Sequence, residues 1–147
     1  MAARELRFWL TGRAEEGYGP QRDEIVAAAR IPVTIRAAPR AVDAYAAADV
    51  VVFPSTWEGF GNPVVESIAA RRPLAVASYP VLDELVDLGL RFFAIDDPAA
   101  MVRWLEQPGE RDGVLDSNLE VARTHFSIHD LPGRIAAAFE TVGWTAW

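Results

Sequence analysis

The sequence predicts an α/β fold: a doubly wound, mostly parallel, Rossmann-like sheet with C-terminal helices. Three observations carry this. Short apolar stretches alternate with helical ones along the chain, the pattern of a parallel sheet crossed by helices. Asp49–Phe53 is an apolar run broken only at its first residue, as expected of a strand covered on both faces. A glycine turn, Glu58-Gly-Phe-Gly-Asn-Pro63, follows that strand and opens a helix. Doubly wound sheets bind ligands at this position, beyond the carboxyl ends of their strands.

Each element has its own justification. Leu6–Thr11 reads as a strand, and Gly12, Gly17, Gly19 and Pro20 punctuate the loop after it. Gln21–Arg30 has helical composition, with Ile25, Val26 and Ala29 on one side. Pro32–Arg36 is a second strand and Val42–Ala48 a short Ala-rich helix. After Asp49–Phe53 the strand stops at Pro54. Pro63–Arg71 is the next helix: Asn62 suits the N-cap, and Pro63 suits the first helical position, where its missing N–H costs nothing. Val64, Val65, Ile68 and Ala69 form its buried stripe. Pro73–Ala77 is a strand, Val81–Leu88 a helix and Arg91–Ile95 a strand. The helical stretches Pro98–Glu106, Asp112–His125 and Asp130–Val142 complete the chain. No repeat, linker or low-complexity segment interrupts residues 1–147, which read as one domain with enough length for a real core.

Composition excludes several function classes. Apolar residues make up 51% of the chain. No apolar run approaches the roughly 18 residues of a membrane span, and no basic-then-apolar leader is visible, so a cytoplasmic protein is expected. With no Cys there are no disulfides, Cys-ligated metals or Cys nucleophiles. A net charge of −7 argues against a general nucleic-acid surface. All 14 basic residues are Arg, which removes a P-loop lysine or a Schiff-base mechanism. A GC-rich genome is the simplest source of that bias. His125 and His129 have no metal-ligand spacing around them and read as structural or exposed.

The chemistry concentrates at Ser55–Glu66. A helix N-terminus presents free N–H groups and partial positive charge, which favours phosphate. Gly59 and Gly61 let backbone approach a ligand without an intervening side chain. The carboxylates Glu58 and Glu66 accept hydrogen bonds only, and so suit pairs of hydroxyls. Phosphate beside polyhydroxyl describes a sugar nucleotide. Each residue also has a plainer reading. Glu66 in a first helical turn complements the helix dipole, worth about 0.3–1 kcal/mol. Glu58 in a glycine loop reads equally as solvated charge, Trp57 and Phe60 as pocket wall or core cover, and Arg13 as a surface arginine rather than a phosphate contact.

Ala48-Asp-Val-Val-Val-Phe-Pro-Ser55, Glu58-Gly-Phe-Gly61 and Glu66 together resemble the donor-binding signature of the retaining, family-four-type glycosyltransferases. Those enzymes use two facing Rossmann-like domains, the GT-B architecture. The resemblance continues weakly from about Leu6 to the C-terminus and implies the C-terminal, donor-binding half. The implied reaction moves a sugar from a nucleoside diphosphate sugar to an acceptor hydroxyl with retention, without a divalent metal or other cofactor. Helix-terminal N–H groups and cationic side chains would stabilise the departing diphosphate. By resemblance Glu58 faces the donor sugar as the catalytic carboxylate, with N–H groups of Phe60, Gly61 and Asn62 reaching its hydroxyls. Val64 and Val65 offer N–H groups to the distal phosphate, Glu66 binds the ribose, and Arg36 opens the segment Arg36–Arg40 that holds the base. The chain departs from the family at Arg36–Arg40, which lacks a glycine, at Ser78-Tyr79-Pro80 in place of a glycine pair, and at Ala70-Arg71-Arg72, where the family has a glycine before the proline matching Pro73.

The resemblance further implies a missing N-terminal acceptor domain. It also implies that the opening strand and helix of the donor domain are absent; their loop supplies an Arg and a Lys to the diphosphate. Met1–Glu5 is too short and polar to replace that strand. The expectation is a fragment, inactive alone, whose strands Leu6–Thr11 and Asp49–Phe53 pair with each other or are covered by a second copy in a homodimer; the plainer reading makes Leu6–Thr11 itself the first strand, since Gly12-Arg13 echoes the family's first-strand ending. Two readings compete: a non-catalytic nucleotide-sugar-binding or scaffold module, and a phospho-receiver-like domain. The absent lysine counts strongly against the latter.

Overall fold

The computed structural model describes residues 6–14 and 16–144. Met1–Glu5, Glu15 of the glycine loop and residues 145–147 lie outside them. Strands and helices alternate as β1 Phe8–Leu10, α1 Gly19–Ala28, β2 Val33–Ile35, α2 Ala41–Ala47, β3 Val51–Phe53, α3 Asn62–Ala69, β4 Leu74–Val76, α4 Leu82–Asp87 and β5 Phe93–Ala94. The helices α5 Pro98–Leu105, α6 Pro108–Phe126 and α7 Leu131–Thr141 follow. The architecture is therefore α/β with parallel strands, in two open sheets of a Rossmann-like, doubly wound kind. Two compact units divide the chain, Met1–Ala47 and Ala48–Trp147.

In the first unit β1 and β2 pair in parallel, Phe8 opposite Val33 and Leu10 opposite Ile35. The ladder continues past the strand ends: Phe8 donates to the Pro32 carbonyl at 2.9 Å and Arg36 to the Leu10 carbonyl at 3.1 Å. The Trp9 indole N–H donates to the Arg36 carbonyl at 2.7 Å. Helix α1 starts at Gly19-Pro20, with proline in the first turn, and buries none of its residues. Before α2, the Arg40 guanidinium donates to Asp43, and this bond holds the Asp43 carboxyl below its ordinary range.

The second unit holds the sheet β3-β4-β5, all parallel. Its core joins Val64 and Ile68 of α3, Leu74 and Val76 of β4, Tyr79, Leu82 and Leu85 of α4, and Leu90. Leu119, Val121, Ala122 and Phe126 of α6 pack against that core. The buried Asn118 pins α6 to the chain ahead of β5, accepting from the Arg91 N–H at 2.9 Å and donating to the Arg91 carbonyl at 2.8 Å. Both ends of a buried amide are thereby satisfied. Among the described residues, β1 pairs only with β2 and β3 only with β4.

Several expectations change. Strand β3 is not covered on both faces, since Val52 is 37% exposed. It lies at the edge of its sheet, and the strand buried on both faces is the central β4. The buried stripe of α3 is Val64, Ser67 and Ile68, at i, i+3 and i+4, rather than one including Val65 and Ala69. Ser67 fits because its hydroxyl donates to the Val64 carbonyl at 2.8 Å. The N-cap of α3 is Gly61, not Asn62, with φ +82° and no side-chain cap bond. Helix α6 begins at Pro108, a full turn before Asp112, because proline starts helices as readily as it ends them.

Candidate functional site

The Ser55–Glu66 segment lies in the second unit, between the end of β3 and the first turns of α3. The Ser55 hydroxyl donates to the Trp57 carbonyl at 3.3 Å, closing the start of the turn. Trp57 is 81% exposed and belongs to no packed cluster. Phe60 is anchored: its ring meets Phe126 of α6 edge-on at 5.4 Å, and its carbonyl accepts from the Tyr79 hydroxyl at 3.2 Å. Of the two aromatic candidates, Phe60 is held by the core and Trp57 stands in solvent.

The two glycines play different parts. A Cβ on Gly59 would meet nothing within 4 Å, so that position is open space. A Cβ on Gly61 would lie 2.7 Å from the Tyr79 hydroxyl oxygen and 3.2 Å from Phe53. Its φ of +82° is a conformation that side-chain-bearing residues rarely adopt. Gly61 is thus required by the fold, whereas Gly59 leaves a gap beside Glu58.

Among the described residues, no backbone carbonyl accepts from the N–H of Phe60, Gly61 or Asn62. The Val64 N–H already donates to the Gly61 carbonyl at 2.9 Å. Glu58 is half-buried, and Glu66 is exposed on the second turn of α3 rather than the first, which carries no acidic residue. Burial first, and the Glu58 charge second, push the Tyr79 phenol above its ordinary range. Three free N–H donors flanked by two carboxylates can accept an anion and bind hydroxyls next to it.

Of the residues expected at the site, Glu58, Phe60, Gly61, Asn62, Val64, Val65 and Glu66 come together in this one turn. Arg36 lies in the first unit, exposed, with its N–H and carbonyl both taken by Leu10 and Trp9. Tyr79 is the participant that pattern reading missed; the only signal was a tyrosine where the resemblance expects a glycine pair. The first unit has its own cavity of about 310 Å³, lined by residues that include Leu10, Gly12, Arg13, Tyr18, Gln21 and Ile25. Among the described residues no cluster of His, Asp and Glu could hold a metal ion, and no helix is long and apolar enough to cross a membrane.

Comparison with known proteins places this geometry in context. The family described as glycosyl transferases group 1 matches residues 1–107. A mannosylglucosylglycerate synthase of Thermotoga maritima is 29% identical, over 59% of this chain and 25% of the relative. The enzyme of the same name from Petrotoga mobilis is 30% identical, over 63% of this chain and 22% of its own length. The O-antigen chain mannosyltransferase RfbU of Salmonella typhimurium is 38% identical, over 36% of this chain and 15% of the relative. The chain thus spans about a quarter or less of the curated relatives it matches. No solved structure matches it.

Proposed function

We propose, from the premise that the chain belongs to the glycosyl transferases group 1 family, that its Ser55–Glu66 turn binds a nucleoside diphosphate sugar. The observation that carries this is the set of N–H groups at Phe60, Gly61 and Asn62 without backbone acceptors, set at a helix start between Glu58 and Glu66. In this reading the chain is the donor-binding half of a GT-B transferase acting with retention on an acceptor hydroxyl. The acceptor surface belongs to another domain. The site works in the cytoplasm and takes no metal.

Position supports a division of labour. The N–H groups at the start of α3 meet the negative charge that builds on the departing diphosphate, with the helix dipole in the same sense. Glu66, exposed on α3, accepts the ribose hydroxyls. Glu58, half-buried and next to the gap left by Gly59, faces the donor sugar. All three relatives, from three organisms, bear names that include mannosyl transfer or mannosyl products, so mannose is the first sugar to test.

The roles separate in a binding experiment. Calorimetric titration with GDP and UDP should show Glu66→Ala weakened about 10- to 100-fold, the loss expected when charge-assisted hydrogen bonds worth about 1.5–3 kcal/mol are removed. Glu58→Ala should bind the nucleotide nearly as wild type does and lose sugar transfer in the complete enzyme. Equal nucleotide affinities for wild type and Glu66→Ala would overturn the assignment.

A further inference from the structure

We infer that Tyr79 is a positioning residue for this turn, a hydroxyl that fixes the Phe60–Gly61 peptide so that the Gly61 N–H faces the donor; the ligand in that statement rests on the reading above. Tyr79 is 3% exposed. Its ring packs edge-on against Phe53 at 6.2 Å, and its hydroxyl donates to the Phe60 carbonyl at 3.2 Å. Every described peptide bond is trans. In a planar trans peptide the C=O and the N–H point in opposite directions. A Phe60 carbonyl drawn toward the buried Tyr79 therefore turns the Gly61 N–H the other way, away from the core.

Gly61 is where such a peptide would otherwise turn over, because glycine meets little steric resistance on either side of φ = 0. Its φ of +82° is held in place by the contacts around it rather than by a side chain of its own. Gly61 is itself buried, and no acceptor among the described residues takes its N–H. A backbone donor with no acceptor inside the chain is open to one from a ligand. A reversed peptide would offer the ligand a carbonyl instead, and so repel the same oxygens. Tyr79 also explains why only glycine fits at position 61: the hydroxyl that orients the peptide occupies the volume a Cβ would need.

Tyr79→Phe tests this, because it removes the hydroxyl and keeps the ring in the core. In ¹⁵N-labelled protein without ligand, the Gly61 amide cross-peak should move or broaden while those of β4 and α4 stay in place. GDP or UDP should then bind about fivefold more weakly, as expected for one neutral hydrogen bond. A Gly61 cross-peak superposed on that of wild type, with unchanged nucleotide affinity, overturns the proposal. So do changes spread through β4 and α4, which would make Tyr79 a packing residue alone. A wild-type chain that shifts with neither nucleotide removes the donor reading, and the ligand half of this proposal with it. The unliganded Gly61 cross-peak still decides whether Tyr79 holds the peptide.

Discussion

The two units of the molecule are built from the same alternation of strand and helix, yet among the described residues only the second has a core. None of the described residues before Ala48 is buried, whereas Val64, Ile68, Leu74, Val76, Tyr79, Leu85 and Leu90 are. In the first unit Phe8, Ile25, Ile35 and Val42 remain exposed although their spacing fits strands and a helix. Periodicity thus specifies which elements form, and burial depends on what packs on them. The second unit has α6 lying against α3 and the core behind β4; the described residues of the first form one two-stranded ladder and two short helices. The candidate site lies in the better-packed unit, where a turn can be held to a fixed geometry.

Core substitutions should break this comparison most visibly. Leu90 is 1% exposed, and Leu90→Ala should cost about 2–5 kcal/mol through lost burial and a cavity. Ile25 is 66% exposed, and Ile25→Ala should cost less than about 0.5 kcal/mol. Urea denaturation measures both. Similar losses at the two positions would mean that the first unit is as well packed as the second.

Within the second unit, the two glycines of the turn sharpen the contrast between a fold-determining and an open position. Gly61→Ala combines a left-handed φ with a clash against Tyr79 and should destabilise by about 2–4 kcal/mol. Gly59→Ala enters open space and should leave stability within about 0.5 kcal/mol while reducing nucleotide binding. Thermal melts and nucleotide titrations of both variants test this together. A Gly59→Ala variant that loses as much stability as Gly61→Ala would contradict it.

The smallest effect belongs to Arg71. It adopts φ +52° after α3, the left-handed geometry that glycine usually takes at a helix end, and donates to Asp116 of α6. Removing the side chain relieves about 1–2 kcal/mol of left-handed strain. It forfeits glycine's backbone entropy, about 0.5–1 kcal/mol, and an exposed ion pair worth about 0–1 kcal/mol. Arg71→Gly should therefore stay within about 0.5 kcal/mol of wild type, on the stabilising side. Chemical denaturation showing a loss beyond about 1 kcal/mol would mean that the Asp116 contact outweighs the relieved strain.

Much of the fold was legible because its signals are local. Asn62, Pro63 and the apolar spacing from Val64 announce a helix start, although the cap itself is Gly61, and the apolar runs at Phe8–Leu10, Val51–Phe53 and Leu74–Val76 announce strands. What escaped is tertiary. Val52 reads as doubly covered from its neighbours, but which strand is central depends on pairing order, which no single run encodes. Tyr79 acts on a main-chain carbonyl nineteen positions earlier, so no period links the two. Arg71 occupies a glycine geometry without being glycine, and only a φ value reveals it. The placement of Glu58 and Glu66 along the chain was legible because a turn and a helix start bracket them. Arg36 was placed by resemblance, and it lies in the other unit with its backbone groups already bonded.

The central claim is that the Ser55–Glu66 turn, not the cavity of the first unit, receives the diphosphate. Crystals of the chain soaked in a high concentration of GDP or UDP test it most directly. The account predicts phosphate density at the Ser55–Glu66 turn, against the start of α3, with the ribose beside Glu66. Phosphates lodged instead beside Arg13 in the cavity lined by Leu10, Tyr18 and Ile25, with the turn empty, would contradict it.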